Sequence, residues 1–237
     1  MSLSRQDRPL YLQIKHILKE RILYGVYPLG SIIPSEPKLE KEFAVSKITV
    51  RGAVQELVQE GFLEKGSGRG TKVIRNKETS RLSKWKHFTE ILVEAGHTIR
   101  KEWLRAEVHP CAEGTEPYRL FGGRCLKLER IFFLNDAPYI YYTHYLSMTV
   151  EDLELSSFSG RSLYEWLEEQ GITPDRLRDE FSVALAPPEV EQNLRLPSNS
   201  HVLKRTRYSF NEQGTAMEWS IGYYNTELQS YVADYDV

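Results

Sequence analysis

Long apolar runs are missing from this sequence. No stretch approaches the roughly 20 residues of a membrane-spanning helix, and the opening MSLSRQDRPLYL has no apolar core of a secretory leader. Such a chain is expected in the cytoplasm. Cysteine is scarce: the two present, Cys111 and Cys125, sit in no Cys-x-x-Cys or His/Cys cluster. That argues against a metal site and reads as two reduced thiols. Nucleotide-binding and catalytic spacings are missing too. The glycine-rich segment lacks the Lys-Ser/Thr of a P-loop, and no nucleophile stands at local spacing from a base. Neither a cofactor nor a bound metal is expected. Net charge is also nearly absent, with 31 Lys/Arg against 33 Asp/Glu.

What is present is unevenly spread. The 237 residues are 41% apolar and 27% charged, which suits two ordinary globular domains. Residues 1–77 hold 14 Lys/Arg and 8 Asp/Glu, a net +6, while the remainder holds 17 and 25, a net −8. A basic first third is a reason to look there for a nucleic-acid partner.

Within that third, Leu10, Ile14, Ile17, Leu18 and Ile22 recur at helical spacing after Pro9, and Gly25 and Pro28 stop the helix. Ser35 can cap a short second helix with Leu39 and Phe43 on its apolar stripe. Ser46 can cap a third, with Val50, Val54, Leu57 and Val58 inward and Gly61 at its end. Lys47, Thr49 and Arg51 then lie at the start of the third helix, away from its apolar face. Such residues reach phosphates and base edges when a recognition helix enters the major groove, though they could equally solvate a surface helix. The next segment decides between the two. Residues 62–65 and 71–74 read as strands around Gly66-Ser67-Gly68-Arg69-Gly70, a glycine-tipped hairpin with an Arg suited to the minor groove. A helix-turn-helix followed at once by such a hairpin is a winged helix.

The run from Pro9 to Val73 resembles the DNA-binding domain of GntR-type regulators. The motifs that carry the likeness are Ile33-Pro34-Ser35-Glu36, Val45–Arg51, Glu60-Gly61 and Gly68–Thr71. The resemblance implies operator DNA as partner and contacts from Ser35, Glu36, Ser46, Lys47, Thr49, Arg51, Gly68, Arg69, Gly70 and Thr71. The family usually has Arg where Pro37 and Lys47 stand here. Lys lacks the bidentate fork that Arg offers to guanine.

Beyond a polar linker at 76–84, residues 85–237 alternate helical and strand patterns. A helix holds Trp85, Phe88, Ile91 and Leu92. Strands are expected at 99–107, 126–134, 138–146, 179–186, 202–211 and 216–225, and helices at 162–170 and 188–194. The whole is α+β, with antiparallel hairpins dominating the larger domain. Leu126–Arg130 before a turn at Asn135-Asp136 matches Leu203–Arg207 before a turn at residues 212–214. A twofold internal repeat follows, with a cleft between repeats as the natural ligand site. Arg130 and Arg207 are equivalent strand cations that could clamp a carboxylate or phosphate. More commonly a strand Arg faces solvent or pairs with an acid. Tyrosines 139, 141, 142, 145, 223 and 224 crowd two strands, where β-propensity explains most of them.

Residues 85–230 resemble the UTRA effector-binding domain of the HutC branch, of chorismate-lyase-like fold. The likeness rests on Glu94-Ala95-Gly96, Arg130 with its Pro138 hairpin, Ser162-Leu163-Tyr164, Gly171, and the series Arg207, Gly214, Glu218, Tyr224. It implies effector contacts at Arg130, Ser162, Glu218 and Tyr224. Where the branch commonly has Glu in the first repeat, this chain has Tyr142, followed by Thr143-His144. With the repeat partner Arg207, the candidate set is Arg130, Tyr142, His144, Ser162, Arg207, Glu218 and Tyr224. The resemblance implies a homodimeric repressor, winged helix in 1–75 and sensor in 85–237, released by a small molecule such as a phosphorylated or otherwise anionic sugar. A lyase-like enzyme and a constitutive DNA binder with a degenerate sensor are the alternatives.

Overall fold

The computed structural model describes residues 9–66, 70–76, 88–147, 163–169 and 172–233. Gly68, Arg69, Ser162 and Trp85 lie outside them, as does nearly all of the linker. The chain forms two compact units, one built mainly by residues up to Ile99 and one mainly by residues from Arg100 to Val232. No helix among the described residues is long and apolar enough to cross a membrane.

In the first unit, α1 (Leu10–Leu23) buries Ile14, Ile17, Leu18 and Ile22 and ends before Gly25, whose φ of 79° favours glycine. Helix α2 (Glu36–Phe43) starts with Pro37 in its first turn, where a missing N–H costs no helical bond. Ser35 holds the N-cap position, but its side chain makes no capping bond, contrary to expectation. A left-handed Ala44 ends α2 (φ 50°), and Ser46 caps α3 (Lys47–Gln59) by accepting from the Thr49 N–H at 3.4 Å. Leu39, Val50, Ala53, Val54 and Leu57 close one core with α1, sealed below by Phe62, Leu63 and Val73.

The last three belong to the wing and its approach. Strands β1 (Leu63–Gly66) and β2 (Gly70–Val73) pair antiparallel. A third segment, unforeseen in the sequence, runs along β2: the Ile33 N–H donates to Thr71 O at 3.0 Å and the Val73 N–H to Ser31 O at 2.9 Å. Gly70 is required there. Its φ is 88°, and a Cβ would lie 2.8 Å from Ile32 Cγ2. Gly52, odd inside α3, lies against Tyr11 of α1, with room for a Cβ at 3.5 Å. Helix α4 (Phe88–Glu94) buries Phe88 and Leu92 and groups with this first unit.

The second unit is built on a six-stranded sheet of order β3-β4-β5-β8-β7-β6. Its strands are β3 (Ile99–Pro110), β4 (Arg124–Leu134), β5 (Ala137–Leu146), β6 (Arg176–Leu185), β7 (His201–Phe210) and β8 (Ala216–Tyr224). The order reads outward from the centre as 5-4-3 on one side and 8-7-6 on the other, so the repeat seen in the sequence is a pseudo-twofold. Each half is strand, short helix, hairpin. Helix α5 (Glu116–Phe121) serves the first half and α7 (Pro188–Leu194) the second. The same bond closes both crossovers: Cys111 N–H to Gly123 O and Ala186 N–H to Ser200 O, each at 2.9 Å. Asn135 and Asp136, both at positive φ, make the tight turn between β4 and β5.

Strand alternation separates the two faces. Leu126 and Leu128 of β4 and Leu146 of β5 pack under α6 (Leu163–Glu169) through Leu163, Trp166 and Leu167. Ile131, Tyr141 and Val202 point the other way, under Val190 and Leu194 of α7. The tyrosines divide accordingly. Tyr141 goes to the α7 face, and Tyr142, one residue on, to the α6 face.

Candidate functional site

Two surfaces carry the expected residues. On the first unit, Ser46 and Lys47 are exposed at the start of α3, with Thr49 partly so. The Ser46 and Thr49 hydroxyls lie 2.9 Å apart. One turn on, Arg51 Nε and Nη2 donate to Glu36 Oε2 at 3.4 and 3.3 Å, and Lys65 of the wing lies 3.8 Å from the other Glu36 oxygen. Glu36 therefore holds a recognition-helix cation and a wing cation. A carboxylate there has no attraction for phosphate, and its geometry fits positioning better than contact. Sequence reading missed Ile48, which is 84% exposed between Lys47 and Thr49. An apolar residue at that place can meet a thymine methyl. Gly70 is exposed and Thr71 partly buried on the wing.

On the second unit, register brings most of the other set together. Residues paired across antiparallel strands share a face. One row runs Arg130, Tyr142, Gly222, Arg205, Phe181; the next runs Leu128, His144, Ser220, Arg207, Asp179; Glu218 and Ser209 follow beside Leu146. Gly222 is what admits Tyr142, because a Cβ there would lie 2.4 Å from Tyr142 Cε1.

At the centre, Glu218 is buried and accepts from His144 Nδ1, Tyr164 Oη and Ser209 Oγ, each at 2.7 Å. Burial works to raise its pKa, yet these donors hold the carboxyl well below the usual carboxylate range. His144 is pushed down to about 4, first by burial and then by the Arg130 cation, so the ring is neutral at pH 7. Its Nδ1–H is committed to Glu218. That leaves Nε2 as a bare acceptor, buried and with no hydrogen-bond partner among the described residues. The ring stacks on Tyr142 with centroids 5.3 Å apart.

The cations are placed differently. Arg207 makes a bidentate pair with Asp179 at 2.7 and 2.8 Å, and Arg205 Nε reaches the same carboxylate at 3.2 Å. Arg205 Nη1 also donates to Tyr224 Oη at 3.1 Å, and the Tyr224 and Tyr142 hydroxyls bond each other. Although burial works to raise it, the Asp179 pKa is lowered by these guanidinium groups. The Arg130 guanidinium instead sits among rings, 4.9 Å from the centroid of Phe132, 5.1 Å from Trp103 and 5.3 Å from Tyr142.

Arg130, Tyr142, His144, Arg207, Glu218 and Tyr224 thus share one buried polar face. Trp103, Tyr164, Asp179, Arg205 and Ser209 belong to the same face but were not singled out from sequence. Arg205 and Ser209 were within reach, because they lie two residues either side of Arg207 and strand period places all three together. Asp179 needed the β6–β7 register, which no local pattern supplies. Among the described residues, no group of three or more His, Cys, Asp or Glu is placed to hold a metal ion.

Comparison with known proteins assigns a family to each part of the chain. Residues 10–73 match the bacterial regulatory proteins of the gntR family, and residues 94–229, more than half of the chain, match the UTRA domain. The chain is similar to the HTH-type transcriptional regulator GgaR of Escherichia coli strain K12, at 27% identity over 98% of this chain and 93% of that one. It is also similar to the mannosyl-D-glycerate transport/metabolism system repressor MngR of the same strain, at 24% identity over 93% of each. Among solved structures, PhnF from Mycobacterium smegmatis shares the fold with a TM-score of 0.55, at 21% identity over 94% of this chain and 99% of that one. A winged helix that matches one family and a twofold α+β sheet that matches the other make this chain a GntR-family transcriptional regulator of the HutC type, an operator-binding domain joined to an effector-sensing UTRA domain.

Proposed function

We propose that this regulator is a cytoplasmic homodimeric repressor that leaves its operator when an anionic, sugar-like effector binds the polar face of the UTRA domain. We assign the DNA-binding domain to residues 1–75 and the sensor to 85–237. The observation that carries the effector reading is His144 Nε2, a buried acceptor with no hydrogen-bond partner among the described residues, on the same face as the Arg130 cation. An acceptor and a cation together suit a ligand with a hydroxyl and an anionic group. Glu218, expected as an effector contact, already has three protein donors, so its part is to fix the His144 tautomer. The name of the related MngR, a repressor for a system handling a sugar joined to a carboxylate, supports the same ligand class.

The dimer reading draws on strand β6. It is an edge of the sheet, and Phe181, Val183 and Leu185 line one of its faces at 48%, 74% and 56% exposure. Val183→Lys should lower the mass seen in light scattering from dimer to monomer. An unchanged dimer would move the interface elsewhere.

Calorimetry and gel shift together test the effector site with a panel of sugar phosphates and sugar acids. Arg130→Ala and His144→Phe should bind operator as the wild type does, yet lose effector heat and effector-driven release. Full response in both variants would place the effector elsewhere. A second reading, a DNA binder whose sensor takes no ligand, draws on Glu218 and Arg207 being already paired. It is favoured if no compound in the panel shifts the melting temperature of the wild type.

A further inference from the structure

Cys111 and Cys125 lie outside the polar face, and their sulfur atoms are 3.0 Å apart. Both side chains are buried, Cys111 at 8% exposure and Cys125 at 0%. Closing a disulfide would take an approach of about 1 Å, to a bond of roughly 2.05 Å. The backbone is already pinned on either side by the Cys111 N–H to Gly123 O bond.

The second repeat provides an internal control. Cys111 is the residue after β3, and Cys125 is the second residue of β4. At the corresponding places, after β6 and second in β7, stand Ala186 and Val202. Their crossover has the same backbone clasp, and both side chains lie in one apolar cluster. A small apolar pair therefore meets the packing demand of this crossover. The first repeat meets it with two apposed thiols, which add redox chemistry that Ala and Val lack.

We propose that Cys111 and Cys125 form a modification site that peroxide oxidises to an intramolecular disulfide, covalently closing the α5 crossover of the sensor domain. The Cys111 thiolate attacks one peroxide oxygen, the O–O bond breaks, and the departing hydroxide takes up the thiol proton as water. The Cys125 thiol then gives up its proton and attacks Sγ of the resulting sulfenic acid, releasing a second water. Two thiols and one peroxide become one disulfide and two waters; the sulfurs lose two electrons and the peroxide gains them. Cys111 acts first because it has the greater exposure. Burial and the adjacent Cys111 push the Cys125 thiol up to about 12, so at neutral pH it is held as the thiol and is not the group that attacks peroxide first.

The full-length reduced chain is treated with hydrogen peroxide, quenched, unfolded, alkylated and weighed intact. The proposal expects a monomeric chain two hydrogens lighter that takes no alkyl group, and dithiothreitol should restore two alkylation sites. The double variant Cys111→Ala, Cys125→Val copies the second repeat, so it should fold, bind operator and show no mass change of this kind. A wild-type chain that still takes two alkyl groups after peroxide, or that gains oxygen without losing the two hydrogens, overturns the proposal.

Discussion

Two glycines without positive φ show how single residues set the sensor and the DNA-binding domain apart. Gly222→Ala would drive a methyl into the Tyr142 ring, which cannot retreat because its hydroxyl is tied to Tyr224 and Arg205. A loss of about 1–3 kcal/mol is expected, the usual range for overpacking. Gly52→Ala meets Tyr11 only at ordinary contact distance. It should gain up to about 1 kcal/mol from helix propensity. Denaturant melts of the two variants should move in opposite directions, and a Gly52→Ala chain less stable than wild type would contradict the packing seen around Tyr11. His144 gives a pH signature. Its folded pKa of about 4 lies below the ordinary 6.5, so the unfolded chain binds more protons between those values. The neutral buried ring is therefore compatible with full stability above pH 6.5, and stability is lost as pH falls toward 4. Glu218, lowered by its hydrogen bonds, adds a further loss as pH falls below its ordinary 4.5. The melting temperature of His144→Gln should fall less steeply than that of wild type from pH 7 to pH 5, and parallel curves would remove His144 as the titrating group. Little of this was legible in the chain itself. His144 and Glu218 were both singled out, but a residue's partner across a sheet depends on register, and 74 positions separate these two.

Elements were easier to read than contacts. The period of Ile14, Leu18 and Ile22, the cap at Ser46 and the Pro-initiated helix Pro188–Leu194 are local signals, and those helices stand where the sequence put them. Helix α5 has only six residues, too few for apolar period to define it. The third segment beside the wing was invisible because Ser31–Ile33 pairs through backbone groups, which leave no side-chain pattern. The recognition helix makes a sharper prediction than its sequence motif did. Arg51→Ala should weaken operator binding by roughly 1–3 kcal/mol and relax sequence preference. Ile48→Ser should weaken binding only at operators that place a thymine methyl opposite α3. Gel shifts on a set of single-base operator variants separate the two cases. A uniform loss over all sequences for Arg51→Ala would make it a phosphate contact.

At the scale of the molecule, an effector can change DNA affinity only through unequal binding to two arrangements of the regulator. A coupling of about 1–3 kcal/mol would alter operator affinity some 5–150-fold. The reverse must also hold: saturating operator should weaken effector binding by the same factor, which titration in the presence and absence of DNA measures directly. The mirrored strand order has a consequence of another kind. Each half of the sheet is continuous in sequence, residues 99–146 and 176–224, and strand pairing joins the halves where β5 pairs with β8. That seam is seven residue pairs long, from Ile140 with Tyr224 to Leu146 with Glu218. A nick between Ser147 and Leu163 would cut no strand of either half, and α6 would stay with the C-terminal fragment. Two fragments broken there and expressed together should reassemble into a working sensor, so the molecule is a natural starting point for a split reporter whose reassembly depends on the effector.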